Sequence, residues 1–188
     1  MTFERITIAV VPPDVLAAAW IPNRGAACTS AAVLAALGAL GARGLPELAE
    51  ATLALGAREP LGAPALMDYV SLPGRRAPLD LRIERLAERH GLPVRSRSGL
   101  VRPGASVEAA EGELVVANLA WGQERPGHYG TWGWNPLRPA TYRTGGHSVL
   151  LAEVTPAGWL VVDPNHPGLQ RWPRPGLAVT ATRIERAT

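Results

Sequence analysis

Gly145-Gly146-His147-Ser148-Val149-Leu150-Leu151-Ala152-Glu153-Val154-Thr155-Pro156-Ala157-Gly158-Trp159-Leu160-Val161-Val162-Asp163-Pro164 is the stretch on which the fold turns. Two apolar runs, His147 to Val154 and Trp159 to Asp163, flank Thr155-Pro156-Ala157-Gly158, which has turn chemistry. Folding back as an antiparallel hairpin brings the start of the first run close to the end of the second, so His147 and Asp163 are expected to meet across the ladder. A carboxylate there can accept the second ring N–H of the imidazole, fix its tautomer and stabilise its cation. Asn165 is a nearby substitute for that orienting role, and Asp163-Pro164 is also an ordinary turn initiator. Gly145 and Gly146 give the backbone room, and the apolar run behind His147 holds the ring at the edge of a rigid element, as a general base requires.

Outward from the hairpin, the second half of the chain continues as strands. Leu92-Pro93-Val94 begins a short one, Glu113 to Ala120 is a strong one, and Leu177 to Ile184 alternates and can close the sheet. Between Trp121 and Gly146 runs a segment rich in Gly, Pro and aromatic residues. Trp132, Trp134 and Tyr129 in it are candidates for gripping a substrate, or for a small core of the loop's own. The first half reads as helical. Cys28 to Leu40 is apolar nearly all round, so it is expected to be central and covered on most sides. Glu47 to Leu55 follows, then a turn-rich stretch from Pro60 to Pro78 with a short helical piece at Ala65 to Val70. Leu79 to His90 is amphipathic, with Leu79, Ile83, Leu86 and His90 on one stripe and Gly91 as its stop. Helices first and an antiparallel sheet second predict an α+β fold, and 188 residues fit one domain over 1–188.

Cys28 is the only cysteine. A lone cysteine in an Ala-rich helix is most often a small buried hydrophobe. Pro22 and Gly25, however, precede it in a stretch that is not helical throughout, which puts Cys28 in the first turn. The unpaired N–H groups and the positive end of the helix dipole there favour a thiolate, the form of cysteine that acts as a nucleophile. Thiol, imidazole and carboxylate thus occur in the order and on the elements of a nucleophile, its base and the base's orienter.

Those residues resemble a papain-like cysteine peptidase, and within that superfamily the bacteriocin-processing family that trims leader peptides after a double glycine. The likeness rests on Cys28-Thr29-Ser30, on Gly145 to Leu150 and on Val161-Val162-Asp163-Pro164, with support from Leu86 to Val94 and Leu114 to Ala117. It covers roughly Ile21 to Trp172. It implies a nucleophile on a central helix packed against the sheet, a Cys28–His147–Asp163 triad, a thioester intermediate and a peptide or protein substrate. The family usually carries a Gln six residues before the Cys to bind the oxyanion. Here Pro22 stands at that position, the only glutamines are Gln123 and Gln170, and Asn23 is the nearest amide for the role. Thr29 also stands where the family often has Gly.

Other chemistries stay open beside hydrolysis. An amine in place of water makes the same triad an acyl or amide transferase of transglutaminase type, and the missing Gln fits a catalytically weak peptide-binding module. All 19 basic side chains are arginine, scattered with one modest cluster at Arg95, Arg97 and Arg102, and the formal net charge is only +3. A nucleic-acid binder concentrates its positive charge, so none is expected. Of Cys28, His128, His147, Asp163 and His166, only Asp163 and His166 are close enough in sequence for the usual ligand spacing, so no metal or other cofactor is expected. The run Ile6 to Val11 is too short and lacks the basic lead of a signal peptide, and Ala26 to Ala42 falls short of a membrane span. One cysteine excludes an intrachain disulfide and is compatible with a reducing cytosol, so a cytoplasmic location is the expectation.

Overall fold

The structure, a computed structural model, describes residues 11–25, 27–57, 64–102, 107, 109–119, 123–125, 128–129, 147–155, 158–173 and 178–187. In chain order the elements are α1 (Pro13–Ala18), α2 (Cys28–Ala39), α3 (Leu48–Ala54), a 3₁₀ turn (Leu66–Tyr69) and α4 (Pro78–Arg89). The strands are β1 (Val94–Leu100), β2 (Leu114–Leu119), β3 (Gln123–Arg125), β4 (His128–Tyr129), β5 (His147–Thr155), β6 (Gly158–Val162), β7 (Leu169–Trp172) and β8 (Ala178–Arg186). Six of them form one sheet in the order β1-β8-β2-β5-β6-β7, every neighbouring pair antiparallel, while β3 and β4 pair separately. The fold is α+β, as predicted. The last strand joins the sheet from within, inserted between β1 and β2.

Period-two alternation on the sheet separates two apolar layers. On one face Leu114, Val116, Leu150, Ala152, Val162 and Ile184 pack against the helices, through Leu34 and Leu37 of α2 and Leu79 and Ile83 of α4. On the other, Val115, Ala117, Val149, Leu151, Val161 and Ala181 gather with Trp159 and Trp172, whose rings stack at 6.0 Å. Helix α2 is buried from Cys28 to Leu37, in keeping with a surface apolar nearly all round, and it lies on β5 and β2. Arg186 of β8 closes the far end of α2, its Nε donating to the Leu40 carbonyl at 2.9 Å. A cation at a helix C-terminus satisfies an orphan carbonyl and complements the dipole. Among the described residues no helix is long and apolar enough to cross a membrane.

The hairpin that decided the fold has its expected form. Leu150 faces Val162 and Leu151 faces Val161, with a bulge before Glu153. The ladder ends with Val162 opposite Leu150, so Asp163, the next residue, comes within reach of His147 at the start of β5. On its other side β5 pairs with β2, setting His147 opposite Leu119 and Ser148 opposite Asn118.

Candidate active site

Cys28 is the first residue of α2, after Ala27 in a non-helical conformation, and its side chain is buried. His147 opens β5 and Asp163 directly follows β6; both are buried, Asp163 completely. The three residues named from the sequence are brought into line. His147 Nε2 lies 2.8 Å from Asp163 Oδ1, which leaves Nδ1 as the nitrogen for Cys28, to which the ring is also hydrogen-bonded.

Burial disfavours charge on both members of the Cys28–His147 pair, and both resist it. Desolvation alone would push the thiol up; the hydrogen bond and charge of His147, with the backbone N–H and hydroxyl of Ser148, outweigh it and hold Cys28 below the ordinary thiol value. Desolvation would likewise push His147 down, but its hydrogen bonds to Asp163 and Cys28 carry the ring up to about 9. Both shifts favour the thiolate beside an imidazolium, and the dipole of a 12-residue helix acts in the same direction on the sulfur.

The loop before the nucleophile is fastened to the loop that carries the carboxylate. Trp20 Nε1 donates to the Asp163 carbonyl at 2.8 Å, the Asn23 backbone N–H donates to the Pro164 carbonyl at 2.8 Å, and Asn23 Nδ2 donates to Asn165 Oδ1 at 2.9 Å. The Asn165 backbone N–H in turn donates to Asp163 Oδ1 at 2.9 Å. Asn165 thus braces the carboxylate, and Asp163 is the group that holds the ring. Asn23 has one amide N–H committed to Asn165, while its buried Oδ1 has no hydrogen bond among the described residues. Trp132 and Trp134 lie outside the described residues, as does the side chain of Tyr129, whose backbone belongs to β4.

Sequence reasoning missed a second set of polar side chains against the sulfur. Ser148 and Thr29, the residues next to the base and the nucleophile, meet with their hydroxyls 2.8 Å apart. Thr29 also reaches the Tyr69 hydroxyl at 3.3 Å, and Ser148 donates to Asn118 Oδ1 at 2.7 Å. Asn118 Nδ2 then donates to Thr180 Oγ1 at 3.0 Å. The signal available beforehand was slight: polar residues following Cys28 and His147, and an Asn inside the apolar run of β2.

A cavity of about 810 Å³ opens beside the segment preceding Cys28. Ile21, Pro22, Ala27, Leu34, Leu48 and Leu53 line it, with Arg24 and Glu47 among its polar residues. Cys28, His147 and Asp163 run in series through the ring, and among the described residues no three His, Cys, Asp or Glu side chains are grouped as metal ligands would be. In comparisons with known proteins, no family model and no curated protein matches the chain.

Proposed function

We propose that this protein is a cysteine-dependent acyl hydrolase of papain-like construction, a peptidase of the kind that processes leader peptides. The observation that carries the reading is the continuous line from the Cys28 sulfur through the His147 ring to the Asp163 carboxylate, with the sulfur at a helix N-terminus. In the reaction the Cys28 thiolate attacks the scissile carbonyl. The backbone N–H of Cys28 and the second amide N–H of Asn23 are the donors offered to the oxyanion. His147 gives its proton to the departing amine, and the peptide's acyl group is left on sulfur as a thioester. Water then attacks, His147 takes its proton, and collapse returns the thiolate with a free carboxylate. Asp163 keeps the ring aligned through both halves and stabilises its cation.

The apolar cavity beside Ile21, Pro22 and Ala27 supports a peptide with apolar side chains as substrate. A thiol that must stay reduced suits the cytoplasm. One observation favours a second reading: Pro22 replaces the expected amide and Asn23 is half committed to Asn165, which fits a module that binds peptide and turns it over weakly. A peptide-library cleavage screen of the wild type against Cys28→Ala tests both. Cleavage by the wild type alone is the expected result. Binding of the same peptides by both proteins, with cleavage by neither, replaces the hydrolase with the module.

A further inference from the structure

The second set of polar groups around Cys28 obeys a proton count that the triad alone does not use. A hydroxyl has one proton to give and lone pairs to receive with. Ser148 Oγ has three polar neighbours: Thr29 Oγ1 at 2.8 Å, Asn118 Oδ1 at 2.7 Å, and the Cys28 sulfur. While the sulfur carries its own proton, Ser148 gives its proton to Asn118, a pure acceptor at that atom. Once the sulfur is charged, it becomes the stronger acceptor, since a charge-assisted hydrogen bond is about twice as strong as a neutral one. The Ser148 proton can reach it by rotation about one bond, with no heavy atom displaced.

We propose that Ser148 is a fourth catalytic residue, whose hydroxyl turns from Asn118 to the sulfur as Cys28 loses its proton, with the hydroxyls of Thr29 and Tyr69 aligned behind it as positioning groups. The proposal rests on the reading of Cys28 as a nucleophile and concerns how its charge is held. No proton changes owner in the relay. The thiol proton passes to His147, and the three hydroxyls only reorient, Tyr69 toward Thr29, Thr29 toward Ser148 and Ser148 toward sulfur. Such a chain polarises in one direction and strengthens its last bond. Asn118 keeps its anchor on Thr180 while its carbonyl is released.

Among the described residues, few other groups can set this charge. From β5 and the residue after β6 the facing groups are His147 and, behind it, Asp163. From the 3₁₀ turn it is Tyr69, whose phenol is driven up by burial and further by the charge of Cys28 and by Asp68 beside it. β2 presents the neutral Asn118, and the buried residues of α1 and α3 are the uncharged Leu16, Ala51 and Thr52.

Because the chain has one cysteine, alkylation of the whole protein by iodoacetamide reports Cys28 alone, and its rate against pH gives the thiol midpoint without any assumption about substrate. Ser148→Ala is expected to raise that midpoint by about 1 unit, Thr29→Val by about half as much and Tyr69→Phe by a few tenths, in their order along the hydrogen-bond chain. Thr29→Ser, which keeps the hydroxyl, is expected to behave as wild type. An equal rise in Thr29→Ser and Thr29→Val would assign the effect to packing and overturn the relay. Unchanged midpoints in Ser148→Ala and Thr29→Val, with a raised one in His147→Ala, would overturn the relay and leave the triad intact. An unmoved midpoint in His147→Ala would remove the triad reading itself.

Discussion

Of the carboxylates buried among the described residues, Glu113 is paired with Arg97, and the other two, Asp80 and Asp163, are put to opposite uses. Asp80, in the first turn of α4, is 1% exposed; Asp163, after β6, is 0% exposed. Asp80 Oδ1 accepts from Ser96 Oγ at 3.0 Å and Ser98 Oγ at 2.6 Å, and its Oδ2 accepts the Ser98 N–H at 3.0 Å. Among the described residues it has no ion pair. Asp163 accepts the Asn165 N–H and the His147 ring. Asp80 ends in neutral hydroxyls and a backbone amide, so its charge ties β1 to α4 and goes no further. Asp163 ends in a ring that can take a proton, and that ring ends on a sulfur. Burial and saturation alone therefore do not mark a functional acid; what marks it is a titratable partner with a second contact.

Exchanging each acid for its amide separates the two uses. Asp163→Asn keeps the shape but offers the ring an amide, which no longer stabilises the imidazolium. We expect kcat/KM for peptide cleavage to fall by about 10⁴, equivalent to roughly 5 kcal/mol, with thermal stability changed far less. Steady-state assays on the library's best peptide measure the first, and a denaturation curve the second. Asp80→Asn is expected to do the reverse. Its new N–H₂ faces a backbone N–H and hydroxyls already arranged to donate, at a cost of about 2–3 kcal/mol in unfolding free energy by urea titration, with kcat/KM within about threefold of wild type. If Asp80→Asn abolished activity while leaving stability intact, the division between the two regions would be wrong.

pH sharpens the same contrast. In the folded wild type the two shifts run in opposite directions: His147 keeps its proton up to about 9, while Cys28 gives its proton up below the ordinary thiol value. A raised histidine loses its contribution to stability as pH rises from 6.5 and a lowered thiol gains one, so the two slopes oppose each other. Removing the sulfur exposes the histidine's own linkage. In Cys28→Ala, Asp163 still raises the ring, so the stability it contributes is fully present below the unfolded value of 6.5 and is lost as pH rises toward the raised folded value. The expected slope there is about 1 kcal/mol per unit, measurable by urea unfolding at pH steps. Activity of the wild type is expected to decline on the alkaline side as the ring loses its proton, near pH 9.

The two regions were also unequally legible in the sequence. The His147–Asp163 side is written in local pattern: two apolar runs, a turn, and polar residues at their outer ends, which together fix a register and hence a meeting. The same applies to Cys28, where a break before an apolar helix sets the first turn. The Asp80 side is not local. Ser96 and Ser98 alternate with arginines in a stretch, Arg95 to Arg102, that reads as a solvated loop; it is instead largely β1, and both serines are buried because a carboxylate from another element satisfies them. β7 was missed because Leu169-Gln170-Arg171-Trp172 does not alternate, and it is a strand by virtue of β6 beside it. α1, only six residues long, was also missed; it is held by the single buried Leu16. The family resemblance implies Asn23 as the amide for the oxyanion. Its first commitment, to Pro164 and Asn165, follows from a contact between loops far apart in the chain.

That contact yields the smallest effect of the set. Trp20 Nε1 donates to the Asp163 carbonyl, and the Asn23 N–H to that of Pro164, so the loop that leads into the nucleophile is pinned to the loop that orients its base. Trp20→Phe retains most of the ring's apolar contact and removes the N–H. A single neutral hydrogen bond is worth about 1 kcal/mol, and the Asp163 carbonyl, part-buried at this point, also receives the His166 N–H at 3.0 Å, so the loss is not compounded by an orphaned acceptor. We expect about that much lost stability. If the pin also sets the distance between Cys28 and His147, kcat falls by up to about tenfold while KM holds, since misalignment weakens the transition state more than binding. Stability lost with kcat untouched would show that the hairpin and α2 hold the line by themselves, and that the acid's region needs no support from the loop before the nucleophile.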